Sequence, residues 1–152
     1  MDDDGVVQFR YPGGAVGTLV VSQVATGEEN NVTVRIYGEE GGMEWNQMEP
    51  NSLYIRRPDK PIETYRTGVT VAGLGTGSFS GTRLPAGHPE GFIEAFANIY
   101  LSFTHAVADW KKGEYKSPDD FHFPSIDDGV RGMKFLEKVV EASASERKWI
   151  PW

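Results

Sequence analysis

Three features of the 152-residue chain predict an α+β domain, an open-faced, mostly antiparallel β-sheet of five or six strands with helices packed on one face. Up to about residue 67 the chain falls into short β-rich runs punctuated by Gly, Pro and Asn. Beyond residue 91 the apolar residues recur at helical spacing, at Phe92, Phe96, Ile99, Phe103, Val107 and Trp110, and again at Val130, Met133, Leu136 and Val140. Between the two halves, Pro85, Gly87, Pro89 and Gly91 hold a non-helical stretch in which Arg83, His88 and Glu90 stand close together.

Residues 6–11 are β-rich, Pro12-Gly13-Gly14 is a turn, and residues 15–25 resume the pattern, which together read as a hairpin. Residues 26–30 turn the chain again. Val32, Val34 and Ile36 then alternate with Thr33, Arg35 and Tyr37, the period of a sheet with unlike faces. After a turn at 38–42 come three further strands, at 43–46, 53–57 and 62–67, so the meander spans 6–67. Two helices cannot cover both faces of such a sheet. The uncovered face carries either the Val32, Val34, Ile36 set or the Thr33, Arg35, Tyr37 set, and is expected to meet water or another subunit.

Residues 68–82 are glycine-rich and read as a connecting loop. Gly73-Leu74-Gly75 after the apolar residues 69–72 begins like a dinucleotide fingerprint. Ser78, however, stands where the third glycine belongs, and Gly81 and Pro85 are expected to prevent a helix from starting there. The first helix is expected to begin at Phe92, to be buried along its apolar stripe, and to stop at Lys111-Lys112-Gly113, where cations and a glycine suit a C-terminus. The second begins at Ser125, with Asp128 at capping-box spacing, and fades after Ala144. Residues 83–145 thus hold the site-like loop and the helices. The aromatic tail, 146–152, ends in Trp149-Ile150-Pro151-Trp152 and is expected to pack back on the domain or on a neighbour.

His88 and Glu90 precede the first helical turn, where unpaired backbone N–H groups and the helix dipole favour anionic or hydroxyl-bearing ligands. Pro89-Glu90 is equally an ordinary helix-start signal. His105 and Asp109 share a helix face four residues apart, which without a ligand motif reads as a surface or capping pair rather than a zinc site. His122, between two aromatics, reads as a packed loop histidine, and no serine sits in a nucleophile elbow.

At 39% hydrophobic content the chain can bury one core, so one domain is expected. A formal charge of −7 with no basic run argues against a nucleic-acid partner, since phosphate binding needs clustered Lys and Arg. No apolar run approaches the ~20 residues of a membrane span, and Met1-Asp2-Asp3-Asp4 lacks the regions of a signal peptide. A cytoplasmic protein without a membrane partner is expected. Zero cysteines exclude disulfides, thiolate metal sites and a Cys nucleophile.

The run Arg83-Leu84-Pro85-Ala86-Gly87-His88-Pro89-Glu90-Gly91, leading into Glu94-Ala95-Phe96-Ala97-Asn98-Ile99-Tyr100, resembles the C-terminal domain of the Gfo/Idh/MocA family of NAD(P)-dependent sugar and cyclitol oxidoreductases. The likeness runs from about residue 6 to the end and is strongest at 14–38, 83–100 and 125–152. It implies a parent enzyme in which an N-terminal Rossmann domain binds NAD or NADP. The C-terminal domain then closes the pocket over a sugar, cyclitol or related polyol, and its open sheet face forms a homo-oligomer. Arg83, His88 and Glu90 are expected to line the substrate side and hydrogen-bond hydroxyls.

Three family features are missing: the Rossmann glycine turn, the Glu-Lys-Pro segment whose Lys is catalytic, and the Asp-x-x-x-His helix that supplies the proton-transfer His. The chain alone is therefore expected to be inactive, without catalytic, cofactor-binding or metal-binding residues, and to be a cut-down piece or proteolytic product of the parent. A non-catalytic oligomerisation or carbohydrate-binding module is the alternative, to be distinguished by the lack of a Rossmann domain upstream. A metal-dependent hydrolase would be revealed by bound metal.

Overall fold

In a computed structural model of the chain, residues 3–68, 75–114, 123–147 and 149–152 are described. The order of elements is β1 (Asp4–Arg10), β2 (Val16–Ser22), β3 (Thr33–Tyr37), β4 (Gly42–Asn46), β5 (Ser52–Arg56), β6 (Glu63–Arg66), α1 (Thr76–Gly81), α2 (Phe92–Lys112) and α3 (Ile126–Ser143). The α+β class and the six antiparallel strands are those expected. The strands divide between two ladders, β1-β2 and β3-β4-β5-β6. By contact the chain separates into two compact units, one made of Met1–Glu29 with Pro124–Trp152, the other of Asn30–Phe123.

In the first unit, β1 and β2 pair from Asp4↔Ser22 to Arg10↔Val16 around the Pro12-Gly13-Gly14 turn. Helix α3 opens with the expected capping box: Ser125 Oγ accepts from the Asp128 N–H at 3.2 Å, and Asp128 Oδ2 accepts from the Ser125 N–H at 2.8 Å. The tail packs back. The Arg10 guanidinium lies 4.1 Å from the Trp149 ring centre, and Lys134 Nζ lies 4.7 Å from that of Trp152, both cation–π contacts.

In the second unit the meander register places Val34, Trp45, Leu53 and Tyr65 in one row and Ile36, Met43, Ile55 and Glu63 in the next. These rows share one sheet face, since side chains alternate along a strand. The opposite face carries Arg35, Glu44 and Tyr54, where Glu44 Oε2 pairs with Arg35 at 3.2 Å and Arg56 at 3.1 Å. The alternation at 32–37 thus marks two unlike faces. Helix α2 ends at Gly113 in the left-handed conformation, φ 76°, with its N–H bonded to Trp110 O at 3.0 Å.

Two expectations are corrected. The segment 68–82 is not wholly a loop, because α1 begins where the glycines were expected to forbid a helix. Its last carbonyl, Gly81 O, accepts from the Asn98 side-chain amide of α2 at 2.6 Å, and Thr82 Oγ1 donates to Ser78 O at 2.7 Å. These bonds support a helix whose Gly- and Ser-rich sequence has little propensity of its own. Residues 69–74 and His122 lie outside the described residues.

Nor is α2 buried along its aromatic stripe: Phe92 is 71% exposed and Trp110 69%. Its more sheltered positions are Glu94, Ala97, Asn98, Ser102, Ala106, Ala108 and Asp109, with Ala106 at 6% exposure. Periodicity identifies residues that share a face, but not which face turns inward. No helix among the described residues is long and apolar enough to cross a membrane.

The α3 cap carries a testable acid sensitivity. The Asp128 carboxyl is lowered from its ordinary 3.8 to about 2, first by the Ser125 backbone N–H, then by the Ser125 hydroxyl and the Arg131 guanidinium. Since the folded value lies below the unfolded one, this stabilisation is complete above pH 3.8 and is lost as the pH falls through about 2. In a circular-dichroism titration from neutral to acid, Asp128→Asn is expected to show a shallower acid limb than the native protein. Identical limbs would show that the cap contributes nothing.

Candidate functional site

The segment joining α1 to α2 is folded on itself. The His88 N–H donates to Pro85 O at 3.1 Å, and His88 Nδ1 lies 3.2 Å from the same oxygen. Two residues on, Glu90 turns back to the start of the loop, where its Oε1 accepts from the backbone N–H groups of Arg83 at 2.7 Å and Leu84 at 2.6 Å. Hydrogen bonds to an ionised acceptor are stronger than neutral ones, so one carboxylate oxygen closes the base of the loop. The Arg83 guanidinium turns the other way, Nε donating to Asn98 Oδ1 on α2 at 2.8 Å.

The loop is also held from outside. Asn51, in the turn between β4 and β5, donates from Nδ2 to Glu90 O at 2.7 Å. Its Oδ1 accepts from the Glu90 N–H at 3.2 Å and from the Thr67 hydroxyl at 3.1 Å. The turn is steadied in its own right, since Trp45 Nε1 donates to Pro50 O at 3.0 Å and the Thr67 N–H to Asn51 O at 3.1 Å. Just beyond β6, Gly68 adopts φ 76° and passes so near Pro85 and Ala86 that a Cβ there would lie 2.9 Å from the Ala86 nitrogen. At the start of α2, Glu94 Oε2 accepts from the Gly91 N–H at 2.9 Å. That bond first, then the Glu94 N–H and the Arg83 charge, holds the Glu94 carboxyl below the usual range.

These groups line an open cavity of about 150 Å³, whose polar lining includes Asn51, Thr67, Thr82, Glu90, Glu94 and Asn98. The volume is about half that of the smallest ordinary ligand pocket. Hydroxyls, amides and two carboxylates suit a hydroxylated ligand, because they offer both donors and acceptors.

Of the three expected site residues, Glu90 lines this cavity, while Arg83 and His88 lie in the same loop, exposed and outside its lining. Asn51, Thr67 and Asn98 were not singled out by the sequence reading, nor was Glu94. Glu94 alone left a local trace, standing three residues after Gly91 as the acidic partner of a capping box does. Among the described residues no three His, Asp or Glu side chains are gathered as a cation site. Gly73 and Leu74 lie outside the described residues, while Ser78, at the position of the third glycine of a dinucleotide fingerprint, lies within α1.

The close approach at Gly68 predicts an asymmetry between two glycines. Gly68 and Gly113 share a positive φ, but only Gly68 lacks room for a Cβ. Gly113→Ala should cost about 1 kcal/mol in thermal unfolding, from the left-handed backbone alone. Gly68→Ala should cost clearly more, and equal losses would contradict the packing of Ala86 against β6.

Over residues 1–151 the chain matches the sequence profile of the Oxidoreductase family, C-terminal alpha/beta domain. It is 30% identical over 150 residues to the uncharacterized oxidoreductase YfiI of Bacillus subtilis (strain 168), a match covering 99% of this chain and 38% of that protein. An inositol dehydrogenase homolog from Azotobacter vinelandii, complexed with NADH and myo-inositol, is similar at a TM-score of 0.91 and 28% identity, over 99% of this chain and 39% of its own. An oxidoreductase from Sinorhizobium meliloti is similar at a TM-score of 0.82 and 36% identity, over 96% of this chain and 40% of its own. The chain thus spans about two fifths of the length of these relatives. Profile, sequence and fold agree with the resemblance carried by the Arg83 to Tyr100 run: the chain belongs to the Gfo/Idh/MocA oxidoreductase family, as its C-terminal alpha/beta domain.

Proposed function

We propose that the chain is the C-terminal part of an NAD(P)-dependent dehydrogenase acting on a sugar, cyclitol or related polyol, and that it supplies part of the substrate pocket and the oligomer interface. The observation that carries this reading is the closed loop ahead of α2 with its hydroxyl-suited cavity. It occurs in a chain aligned over 99% of its length with a protein whose structure holds NADH and myo-inositol. Arg83 offers guanidinium donors, Glu90 a carboxylate acceptor, and His88 a donor or an acceptor according to its tautomer, so together they match both halves of a hydroxyl group. The nicotinamide supplies hydride exchange. On this reading its binding groups and the proton-transfer groups belong to the remainder of the parent, since the chain spans about two fifths of the length of its relatives.

Assembly through the open face of the four-stranded sheet fits the same reading. Val34, Ile36 and Met43 share one face and are exposed, an apolar patch of the kind that a second copy covers.

The test uses the full-length protein, a panel of polyols that includes myo-inositol, and each dinucleotide in turn, followed by the absorbance of the reduced nicotinamide. Turnover with at least one polyol is expected, and none across the panel would end the dehydrogenase reading. His88→Ala should raise the polyol KM roughly tenfold, the equivalent of one hydrogen bond of ~1.4 kcal/mol. Unchanged KM and kcat would remove His88 from the substrate site. Ile36→Glu should lower the mass measured by sedimentation, and an unaltered mass would take the sheet face out of the assembly.

A further inference from the structure

We infer that Asn51 is the positioning residue of the substrate loop: its side-chain amide holds the Glu90 peptide and so fixes where Arg83, His88 and Glu90 stand. This rests on the assignment of that loop to polyol binding. An Asn side chain carries one carbonyl oxygen and one NH₂ group, and here both are used on a single residue, Nδ2 on Glu90 O at 2.7 Å and Oδ1 on the Glu90 N–H at 3.2 Å. The arrangement reproduces the reciprocal bonding of a hydrogen-bonded pair in an antiparallel ladder, with a side chain taking the part of one strand. Glu90 is also the residue whose carboxylate closes the loop on Arg83 and Leu84, so the orientation of its peptide sets the base of the whole segment.

Asn51 is in turn fixed to the sheet. Its Oδ1 holds the Thr67 hydroxyl, its carbonyl holds the Thr67 N–H, and the neighbouring Pro50 carbonyl holds the Trp45 indole. A rigid sheet end is thereby bonded to a loop that would otherwise hang from α2 by Glu94 and Asn98. A Gln at this position would carry its amide about 1.5 Å too far. An Asp would keep the shape but set an acceptor oxygen against the Glu90 carbonyl, and only its protonated form would restore the donor.

That last property separates positioning from bulk stability. The carboxylates sharing the cavity with position 51 are Glu90 and Glu94, Glu49 lies two residues before it, and the Arg83 charge acts on Glu94. Like charges and a carbonyl facing one oxygen raise a carboxyl pKa, while the Glu90 N–H and the Thr67 hydroxyl at the other lower it, so the donor is recovered toward the acid end of the assay range.

In the full-length enzyme, Asn51→Asp is expected to raise the polyol KM about tenfold near pH 7.5 and to recover toward the native value near pH 5, with kcat changed less than about threefold. Each value is taken as a ratio to the native enzyme at the same pH, which cancels the titration of His88 and the native carboxylates. Asn51→Ala should raise KM at every pH. Amide hydrogen exchange of the 83–91 segment should quicken in both variants while that of β1 and β2 stays native. Thr67→Val, which removes one bond to Oδ1, is the milder variant if Asn51→Asp does not accumulate, with a KM increase of a few fold. If His88→Ala raises KM while the position 51 and 67 variants keep native KM and native exchange, the positioning role is overturned and the substrate reading stands. A KM increase in Asn51→Asp that is the same at every pH also overturns it, by showing loss of structure rather than of one donor. If His88→Ala is silent, the substrate reading fails and the inference fails with it.

Discussion

A helix begins with backbone N–H groups that have no partner inside it, and they must be met by something else wherever water is not free to reach them. In the loop just ahead of α2, whose backbone N–H groups belong to no helix or strand, the same demand is met by side chains drawn from several places. Glu94 serves the Gly91 N–H, Asn51 serves Glu90, and the Glu90 carboxylate serves Arg83 and Leu84. The satisfied junction ties the meander, the short helix α1 and the long helix α2 into one polar framework, and the cavity is the space left among its members. Architecture and candidate site are therefore the same set of bonds.

This sharing shapes what the carboxylates can do. Glu90 and Glu94 each spend one oxygen on backbone donors, which aims both carboxylates and, at Glu94, also holds the carboxyl below its usual range. A group held in this way is suited to receiving ligand hydroxyls and poorly suited to taking up a proton during a reaction. That agrees with the proposed part of this loop in binding and orienting a hydroxylated ligand. Elsewhere the charged pairs are partly exposed, and bridges such as Arg35–Glu44–Arg56 contribute little to stability individually.

Much of the fold was legible because it follows from rules of short range. The Ser125 and Asp128 spacing gave the start of α3, Lys111-Lys112-Gly113 the end of α2, and the alternation at 32–37 the unlike faces of the sheet. Strand limits shifted by a few residues, β2 stopping at Ser22 rather than at 25. Helix α1 was not legible, since the amide that caps it comes from Asn98, 17 residues away. The inward face of α2 was hidden for a related reason: its large apolar residues point outward, and the sheltered positions are small or polar ones such as Ala97, Asn98 and Ala106. At the site, the grouping of Arg83, His88 and Glu90 was visible in the sequence. The part played by Asn51 was not, because its partner lies 39 residues further on.

That separation bears on the order in which the chain folds. Turns and helices form from neighbours, whereas a bond across 39 residues must wait until the intervening chain has been gathered in, at an entropic cost that grows with its length. The β4–β5 hairpin has to exist before Asn51 can reach the loop, so this bond forms late in folding. By the same reasoning the loop is the segment expected to open before the sheet does. The loop proposed to receive the ligand is then also the part of this unit that a bound ligand would most readily steady.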